Sequence, residues 1–386
     1  MNDLHDPAKT KAHRILLVVR HPVGGIRTFC RYVFGRFDAK RFRFTLIAPE
    51  CHETRILLTD LESLSLRYIP LPERISDKDF FLAATKIIRT GQFDLVHSHG
   101  FTSGVASTIG SLIMHTPHLL TCHDVLTDNQ FGGFGGLVKK CAVGLALTTV
   151  DRIHCVTDDA RSNLLDHLGI LRPFRHRIRA IRNGIDSRRF LSAEARDLRR
   201  ELGVDDRTFL IGFLGRFMSQ KGFRYLVDAL IEIRKRSDLP KKPLVLTFGG
   251  RDGFFREEMA EIERNGLSDT VLFLPFVPDV ASTLKGLDIV AMPSLWEACG
   301  LLAMEAMVAG VPVIGSSCVG LREVLLDTPA RVVPPKDALA LANGLIAEMT
   351  SPTTARARDF APVAASRFSV DEQARELEQL MSELVE

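Results

Sequence analysis

Two segments in the second half of the chain combine basic, acidic and glycine residues at spacings suited to a diphosphate and to a pair of ligand hydroxyls. The first is Gly215-Arg216-x4-Lys221-Gly222, which follows the apolar run Phe209–Leu214 and opens a helical stretch reaching Arg236. Strand, loop and helix N-terminus together bind anions, because unpaired N–H groups and the helix dipole point at the ligand. Arg216 adds a bidentate fork and Lys221 a point charge. The plainer alternative is two exposed basic residues flanking an ordinary loop. The Walker A pattern is absent, so this is not a P-loop.

The second segment runs Ser294-Leu-Trp-Glu297-Ala-Cys-Gly300-Leu-Leu-Ala-Met-Glu305-Ala-Met-Val-Ala-Gly310-Val-Pro312. A strand over Ile289–Met292 ends at Pro293, and a helix from about Gly300 stops at Gly310, a common C-terminal glycine. Glu297 lies in the loop and Glu305 inside the helix. A glutamate among Leu301, Leu302, Ala303, Met304, Ala306 and Met307 is costly if buried unpaired, and a pair of ligand hydroxyls would satisfy it. A solvated helix face is the alternative. The free N–H groups of Cys299, Gly300, Leu301 and Leu302 form a second cradle for an anion or hydroxyl. Cys299 beside a helix N-terminus could be read as a nucleophile, but a small buried thiol is the favoured reading.

These residues need a scaffold, and the chain supplies a repeated β-then-α pattern. Strand-like runs at Ile15–Val19, Phe42–Ala48, Leu66–Ile69, Leu95–Val96, Leu119–Cys122 and Ile153–Val156 alternate with helical stretches near 26–37, 78–90, 103–115, 136–150 and 158–168. The pattern pauses over the Arg-rich stretch 172–190 and restarts with Phe209–Leu214, Leu244–Phe248, Val271–Leu274, Ile289–Met292, Val311–Ile314 and Arg331–Val333. Val370–Leu384 reads as a charged amphipathic helix. Buried strands alternating with helices imply parallel sheets covered on both faces. The expected fold class is α/β, with two Rossmann-like doubly wound domains facing across a cleft, the default ligand site. The expected domains are 1–188 plus the helix 368–386, and 189–367.

The 386 residues suit two such domains. With 46% hydrophobic and 25% charged residues the composition is that of a globular protein, excluding disordered, collagen-like and disulfide-scaffold classes. The seven cysteines are scattered with no C-x-x-C pair, which argues against structural zinc and for a reducing, cytoplasmic setting. No run approaches the roughly 18 apolar residues of a membrane span, and the polar first dozen residues are unlike a secretory signal. One Trp and three Tyr give no stacking platform for nucleic acid. Residues 1–188 carry 26 Lys/Arg against 18 Asp/Glu, a net +8, while 189–386 carry 24 against 29, a net −5. The basic half carries Lys40-Arg41-x-Arg43, Lys139-Lys140 and Arg172–Arg182. Between them Gln130–Leu137 reads as a glycine-hinged loop with Phe131 and Phe134, suited to dipping into an anionic membrane surface. Inward packing of both rings over an acceptor pocket is the alternative.

The segment Glu297-x7-Glu305-Ala-Met-x-x-Gly-Val-Pro resembles the signature of the family 4 retaining glycosyltransferases of the GT-B fold. Gly215-Arg216-x4-Lys221-Gly222 resembles their diphosphate-binding element, and Asn183-Gly184-Ile185-Asp186 the end of their N-terminal domain. Gly24-Gly25, Asp94-Leu-Val-His97-Ser-His99 and Thr121-Cys-His123-Asp124 are similar to further landmarks, in the same order over essentially the whole chain. The terminal helix is similar to one that packs back on the first domain. Where the family often has Gly-Phe-Gly or Gly-Tyr-Gly, this chain has Ala298-Cys299-Gly300, which keeps the backbone donors but not the aromatic wall.

The resemblance implies a hexosyltransferase of the EC 2.4 class using a UDP- or GDP-linked sugar, with no cofactor and no metal. In that reading Arg216 and Lys221, with Gly215 between strand and cation, neutralise the departing diphosphate. Glu305 holds the ribose hydroxyls, and Glu297 with the N–H groups of 299–302 contacts the sugar. Catalytic roles fall to His123, Arg216, Lys221 and Glu297. Gly24, Gly25 and Asn183 line the substrate, and backbone near Val277 meets the base. His97 and His99 are read as structural or acceptor-side. The acceptor class is a glycan or lipid-linked hydroxyl in cell-surface polysaccharide, lipopolysaccharide or glycolipid assembly, with the enzyme in the cytoplasm or on the inner face of the membrane. A sugar-nucleotide 2-epimerase and a non-catalytic nucleotide-sugar-binding subunit are the rivals; the first lacks the Glu-x7-Glu helix, and the second would have lost Arg216, Lys221 or Glu305.

Overall fold

The computed structural model describes residues 12–64, 66–248, 255–275, 277 and 279–386. Two compact units share the chain. Unit 1 takes the chain up to Val156, Arg161–Ile181 and Asp371–Glu386, and unit 2 takes Thr157–Ala160 and Arg182–Val370.

Unit 1 is built on β1 (His13–Val19), β2 (Phe42–Pro49), β3 (Arg67–Leu71), β4 (Leu95–His99), β5 (His118–Cys122), β6 (Arg152–Cys155) and β7 (Ile178–Ala180). They form one sheet in the order β3-β2-β1-β4-β5-β6-β7, with every pairing parallel. Ile15 to Val19 are all fully buried, as an unbroken apolar strand covered on both faces must be. Unit 2 carries β8 (Thr208–Leu214), β9 (Lys242–Phe248), β10 (Val271–Leu274), β11 (Ile289–Met292), β12 (Val313–Ser316) and β13 (Arg331–Val333). Their order is β10-β9-β8-β11-β12-β13, again all parallel. The Phe223–Arg234 and Ala338–Thr350 helices bury Leu226, Leu230, Leu341 and Leu345 in a core shared with β8, β9, β11 and β12. The expectation of two Rossmann-like doubly wound sheets is met.

Strand order decides where chemistry can sit. In unit 1 the chain reverses direction between β1 and β4, and in unit 2 between β8 and β11. Crossovers leave in opposite directions there, which opens a crevice at the strand C-terminal ends. Gly24 and Gly25 follow β1, and His99 ends β4. Gly215 and Arg216 follow β8, and Ser294 to Glu297 follow β11.

The surplus positive charge of the first half is partly consumed at home. The Val370–Val385 helix brings its acids to unit 1, where Arg36 pairs with Asp371 at 2.5 Å, Arg41 with Glu378 at 2.6 Å and Arg179 with Glu383 at 3.2 Å.

Two local expectations differ from the structure. The stretch 172–190 is not an interruption: it holds a 3-10 segment (Gly169–Arg177), β7 and a short helix (Ser187–Ser192). A three-residue edge strand is too short to leave a periodic signal. Gln130–Leu137 is not a hinged loop either. A 3-10 turn, Asp128–Phe131, leads into a helix over Gly133–Leu147. Each glycine disfavours helix by about 1 kcal/mol, but a capping box between Thr127 and Gln130 turns the chain at that point.

Candidate active site

In unit 2 the loops after the neighbouring strands β8 and β11 are stitched together. Leu295 N donates to Gln220 O at 2.7 Å, and Gln220 Nε2 donates to Trp296 O at 3.0 Å. Lys221 Nζ reaches Glu297 Oε1 at 2.7 Å, and Ser294 Oγ donates to the same oxygen at 2.8 Å. Glu297 is only 6% exposed. A carboxylate that far from water needs a cation and a hydroxyl to be tolerated. Arg216 sits on the exposed side of the same loop and makes no ion pair or side-chain hydrogen bond among the described residues. One cation is thus held within the site and the other is open to a ligand.

Two glycines allow the close approach. Gly222 has φ 66°, and a Cβ there would stand 2.0 Å from Pro293 O. Gly320 has φ 77°, and its Cβ would stand 2.2 Å from Glu297 O. Gly222→Ala is therefore expected to cost about 1–3 kcal/mol in backbone strain and to push Pro293 away, separating Lys221 from Glu297. Thermal melting together with donor-binding calorimetry reads both effects; unchanged melting and unchanged binding would contradict the packing.

The Leu301–Val308 helix begins at Gly300, whose φ is 70°. Ala303, Met304, Ala306 and Met307 are buried, while Leu301, Leu302 and Glu305 are half-buried, Glu305 standing one turn after Leu301 and Leu302 on the same open face. Glu305 thus faces away from the core. Cys299 is buried, and Asn183 contributes a backbone hydrogen bond to its sulfur; burial pushes the thiol up to about 12. At neutral pH it is a protonated thiol, which suits the packing reading rather than the nucleophile. Asn183 is itself buried. Val277 lies in the segment after β10 and is half-buried.

Sequence reasoning did not single out the support behind Glu297. Thr157 Oγ1 donates to Ala298 O at 2.8 Å. Asp159 accepts from Gly320 N at 3.0 Å and from Arg322 at 2.7 Å. Glu323 accepts from Asp159 N at 2.9 Å and from Arg182 at 3.1 Å. These residues come from three distant stretches of the chain, so no local pattern marks them.

In unit 1, Gly24 (φ 54°) precedes the Gly25–Phe34 helix, and both glycines are exposed. His123 Nε2 lies 3.0 Å from His99 Nδ1, with Phe29 edge-on to the His123 ring at 4.8 Å. Behind them runs a relay whose directions can be worked out. His154 Nε2 donates to Ile181 O at 2.9 Å, because a carbonyl only accepts. His154 Nδ1 then accepts from Thr121 Oγ1 at 3.1 Å, and Thr121 Oγ1 accepts from His97 Nε2 at 2.8 Å. The remaining His97 Nδ1 is buried without a partner, the less costly orphan because it is a lone pair rather than an N–H. Burial first, then neighbouring imidazoles, holds His97, His99 and His123 well below the ordinary value. Burial brings His118 down to about 3 and His154 to about 4. Among the described residues no group of three His, Cys, Asp or Glu is placed to hold a metal ion.

Comparison with known proteins bears on this arrangement. The pattern described as "Glycosyltransferase Family 4" matches residues 23–189, and "Glycosyl transferases group 1" matches residues 208–350. The 2-deoxystreptamine N-acetyl-D-glucosaminyltransferase of Streptomyces fradiae is 31% identical over 67% of this chain and 63% of its own length. The alpha-maltose-1-phosphate synthase of Mycolicibacterium smegmatis is 29% identical over 60% of this chain and 62% of its own. The chain thus spans about three-fifths of these relatives. The UDP-Gal:alpha-D-GlcNAc-diphosphoundecaprenol alpha-1,3-galactosyltransferase of Escherichia coli is 24% identical over 77% of both chains. Among solved structures, HepE of Anabaena with UDP and glucose superposes with a TM-score of 0.80 at 22% identity, covering 96% of this chain and all of that one. Sucrose-phosphate synthase of Thermosynechococcus elongatus gives a TM-score of 0.77 at 21% identity, covering 96% and 99%. With both family patterns in their expected order and the twin parallel sheets in place, the chain belongs to the family 4 glycosyltransferases of the GT-B fold.

Proposed function

We propose that this protein is a retaining, metal-independent glycosyltransferase that moves a hexosyl residue from a UDP- or GDP-linked sugar to a hydroxyl of a glycan or lipid-linked acceptor, in assembly of cell-surface polysaccharide or glycolipid. The observation that carries the reading is the Lys221–Glu297 pair at the β8/β11 switch point, with Arg216 open beside it. Structural neighbours crystallised with UDP and with UDP-glucose support a nucleotide-sugar donor.

The chemistry asks for stabilised negative charge on a leaving group. The bond from the anomeric carbon to the phosphate oxygen breaks, and a bond to the acceptor oxygen forms on the same face. The acceptor proton passes to the departing phosphate. Arg216 and Lys221 meet the charge where it develops, and the N–H groups at the start of the Leu301–Val308 helix add to them. Glu305, on the open face of that helix, takes the ribose hydroxyls, and backbone near Val277 takes the base. Glu297, fixed by Lys221 and Ser294, accepts from a sugar hydroxyl. His123, Gly24 and Gly25 are the contribution of unit 1. No carboxylate pair of the glycosidase kind is needed.

A panel of nucleotide sugars read by mass spectrometry, with and without a lipid-linked or glycan acceptor, tests the reading. The expected result is nucleoside diphosphate release with one donor, a product that keeps the donor's anomeric configuration by NMR, and full activity in excess EDTA. An inverted product, or activity lost to EDTA and restored only by a divalent ion, would overturn it.

A further inference from the structure

The Gly133–Leu147 helix is turned inside out relative to an ordinary surface helix. Phe134 is 83% exposed and Leu145 63%, with Leu137 and Val138 more than half exposed between them. Cys141 on the same stripe is exposed as well. The spacing i, i+3, i+4, i+7, i+11 is that of one continuous helix face. Such a face normally packs on the core, yet in this helix only Gly144 and Leu147 are buried.

The apolar surface does not stop at this helix. The Phe101–Met114 helix packs beside it and exposes Ile109, Leu112, Ile113 and Met114. The segment Gly169–Arg177 also packs against it and exposes Ile170, whose side chain lies next to Gly144. Nine of the sixteen exposed large apolar side chains among the described residues belong to these three neighbouring elements. A concentration of that kind marks an interaction surface rather than scattered exposure.

The charge around it is mainly positive, with Asp128 and Asp166 at its margin. Residues 129–150 contain Lys139 and Lys140 and no Asp or Glu, and 167–185 contain five arginines and no Asp or Glu. Stretch 95–123 has no acidic residue at all. Arg175 has an exposed side chain, and Arg172 has only an exposed contact with Asp166 at 3.6 Å.

We propose that this face docks on an anionic lipid bilayer. The apolar stripe enters the boundary between headgroups and acyl chains, and Lys139, Lys140, Arg172 and Arg175 meet the lipid phosphates. A second copy of the chain fits poorly, because like charges would be brought together across the interface. No helix among the described residues is long and apolar enough to cross a membrane, so this contact lies on the surface of the bilayer. The inference rests on this surface and not on the glycosyl-transfer reading, and either can fail alone.

The test is co-sedimentation with vesicles of phosphatidylglycerol and phosphatidylcholine, against phosphatidylcholine alone, at low and physiological salt. The whole chain is expected to partition at least tenfold more strongly to the anionic vesicles, with the advantage shrinking as salt rises. Phe134→Ser combined with Leu145→Ser should lower that partition tenfold or more with unchanged thermal melting, since both side chains already face solvent. Lys139→Glu with Lys140→Glu should abolish the preference for anionic lipid. Protein left in the supernatant with both vesicles overturns the proposal, as does equal binding by the apolar variant. So does a dimer in sedimentation equilibrium that dissociates in that variant. Nucleotide release from the donor, measured without vesicles, should be the same in all variants, which separates this result from the fate of the proposed reaction.

Discussion

Arg216→Ala is expected to lower turnover by roughly ten- to a hundredfold without moving the melting temperature. A charge-assisted contact contributes about 1.5–3 kcal/mol, and each 1.36 kcal/mol is a factor of ten in rate. Arg216 is exposed and unpaired among the described residues, so its removal breaks nothing in the fold. Lys221→Ala should match or exceed that loss, and it should also destabilise unit 2. The substitution strands the Glu297 carboxylate, whose side chain is 8% exposed, with Ser294 alone. Removing one partner of a buried pair costs more than the pair contributes, although Lys221 is 28% exposed and water softens the loss. Adding Glu297→Gln to Lys221→Ala should recover melting temperature but not turnover. Recovered melting shows that the lost stability of Lys221→Ala comes from the stranded carboxylate, while turnover, which also needs Glu297, is read in the single variants. Near-wild-type turnover in both single variants at saturating donor would sink the diphosphate assignment.

Mild acid is expected to open unit 1 and leave unit 2 folded. His97, His99, His118, His123 and His154 are all held neutral by burial. In the unfolded chain each titrates near 6.5. Below that value the unfolded state binds more protons than the native one, so stability falls as the pH drops. The loss continues until the folded values are reached, about 4 for His154 and about 3 for His118. By pH 5 His118 and His154, whose folded values lie below that pH, each cost about 2 kcal/mol, and His97, His99 and His123 act in the same direction, against a domain stability of only about 5–15 kcal/mol. Above 6.5 these groups leave stability flat. The relay explains the absence of a milder route: a second proton on His154 must displace the Thr121 bond, and one on His97 finds no partner. All twelve histidines of the chain precede residue 177 and none falls in unit 2. The single tryptophan, Trp296, lies in unit 2. Its fluorescence should hold at pH 5 while amides of β4 and β5 lose protection from hydrogen exchange. Protected β4 and β5 at pH 5, or a tryptophan signal that collapses with them, would contradict this account. His154→Gln should reduce proton uptake on acid unfolding by one.

What the sequence determined about this protein is what short-range order can carry. Apolar runs such as Ile15–Val19 and Phe209–Leu214 must be buried strands, and strands separated by helices must pair in parallel, so two doubly wound sheets follow from periodicity and connection length. Glycines and charges bunched just after strands β8 and β11 also point to a site, because strand ends and helix starts are where backbone N–H groups are free. The tertiary structure alone decided which charges find partners. Lys221 and Glu297 are 76 residues apart and meet only because β8 and β11 are neighbours. Asp159 reaches Gly320 across 161 residues, and the basic surplus of the first half meets the acids of the final helix. Nor does a glycine-rich apolar stretch announce its direction. Phe131 is half-buried and Phe134 exposed, because which face of a helix turns inward depends on where its neighbours stand, and periodicity records the face without the direction.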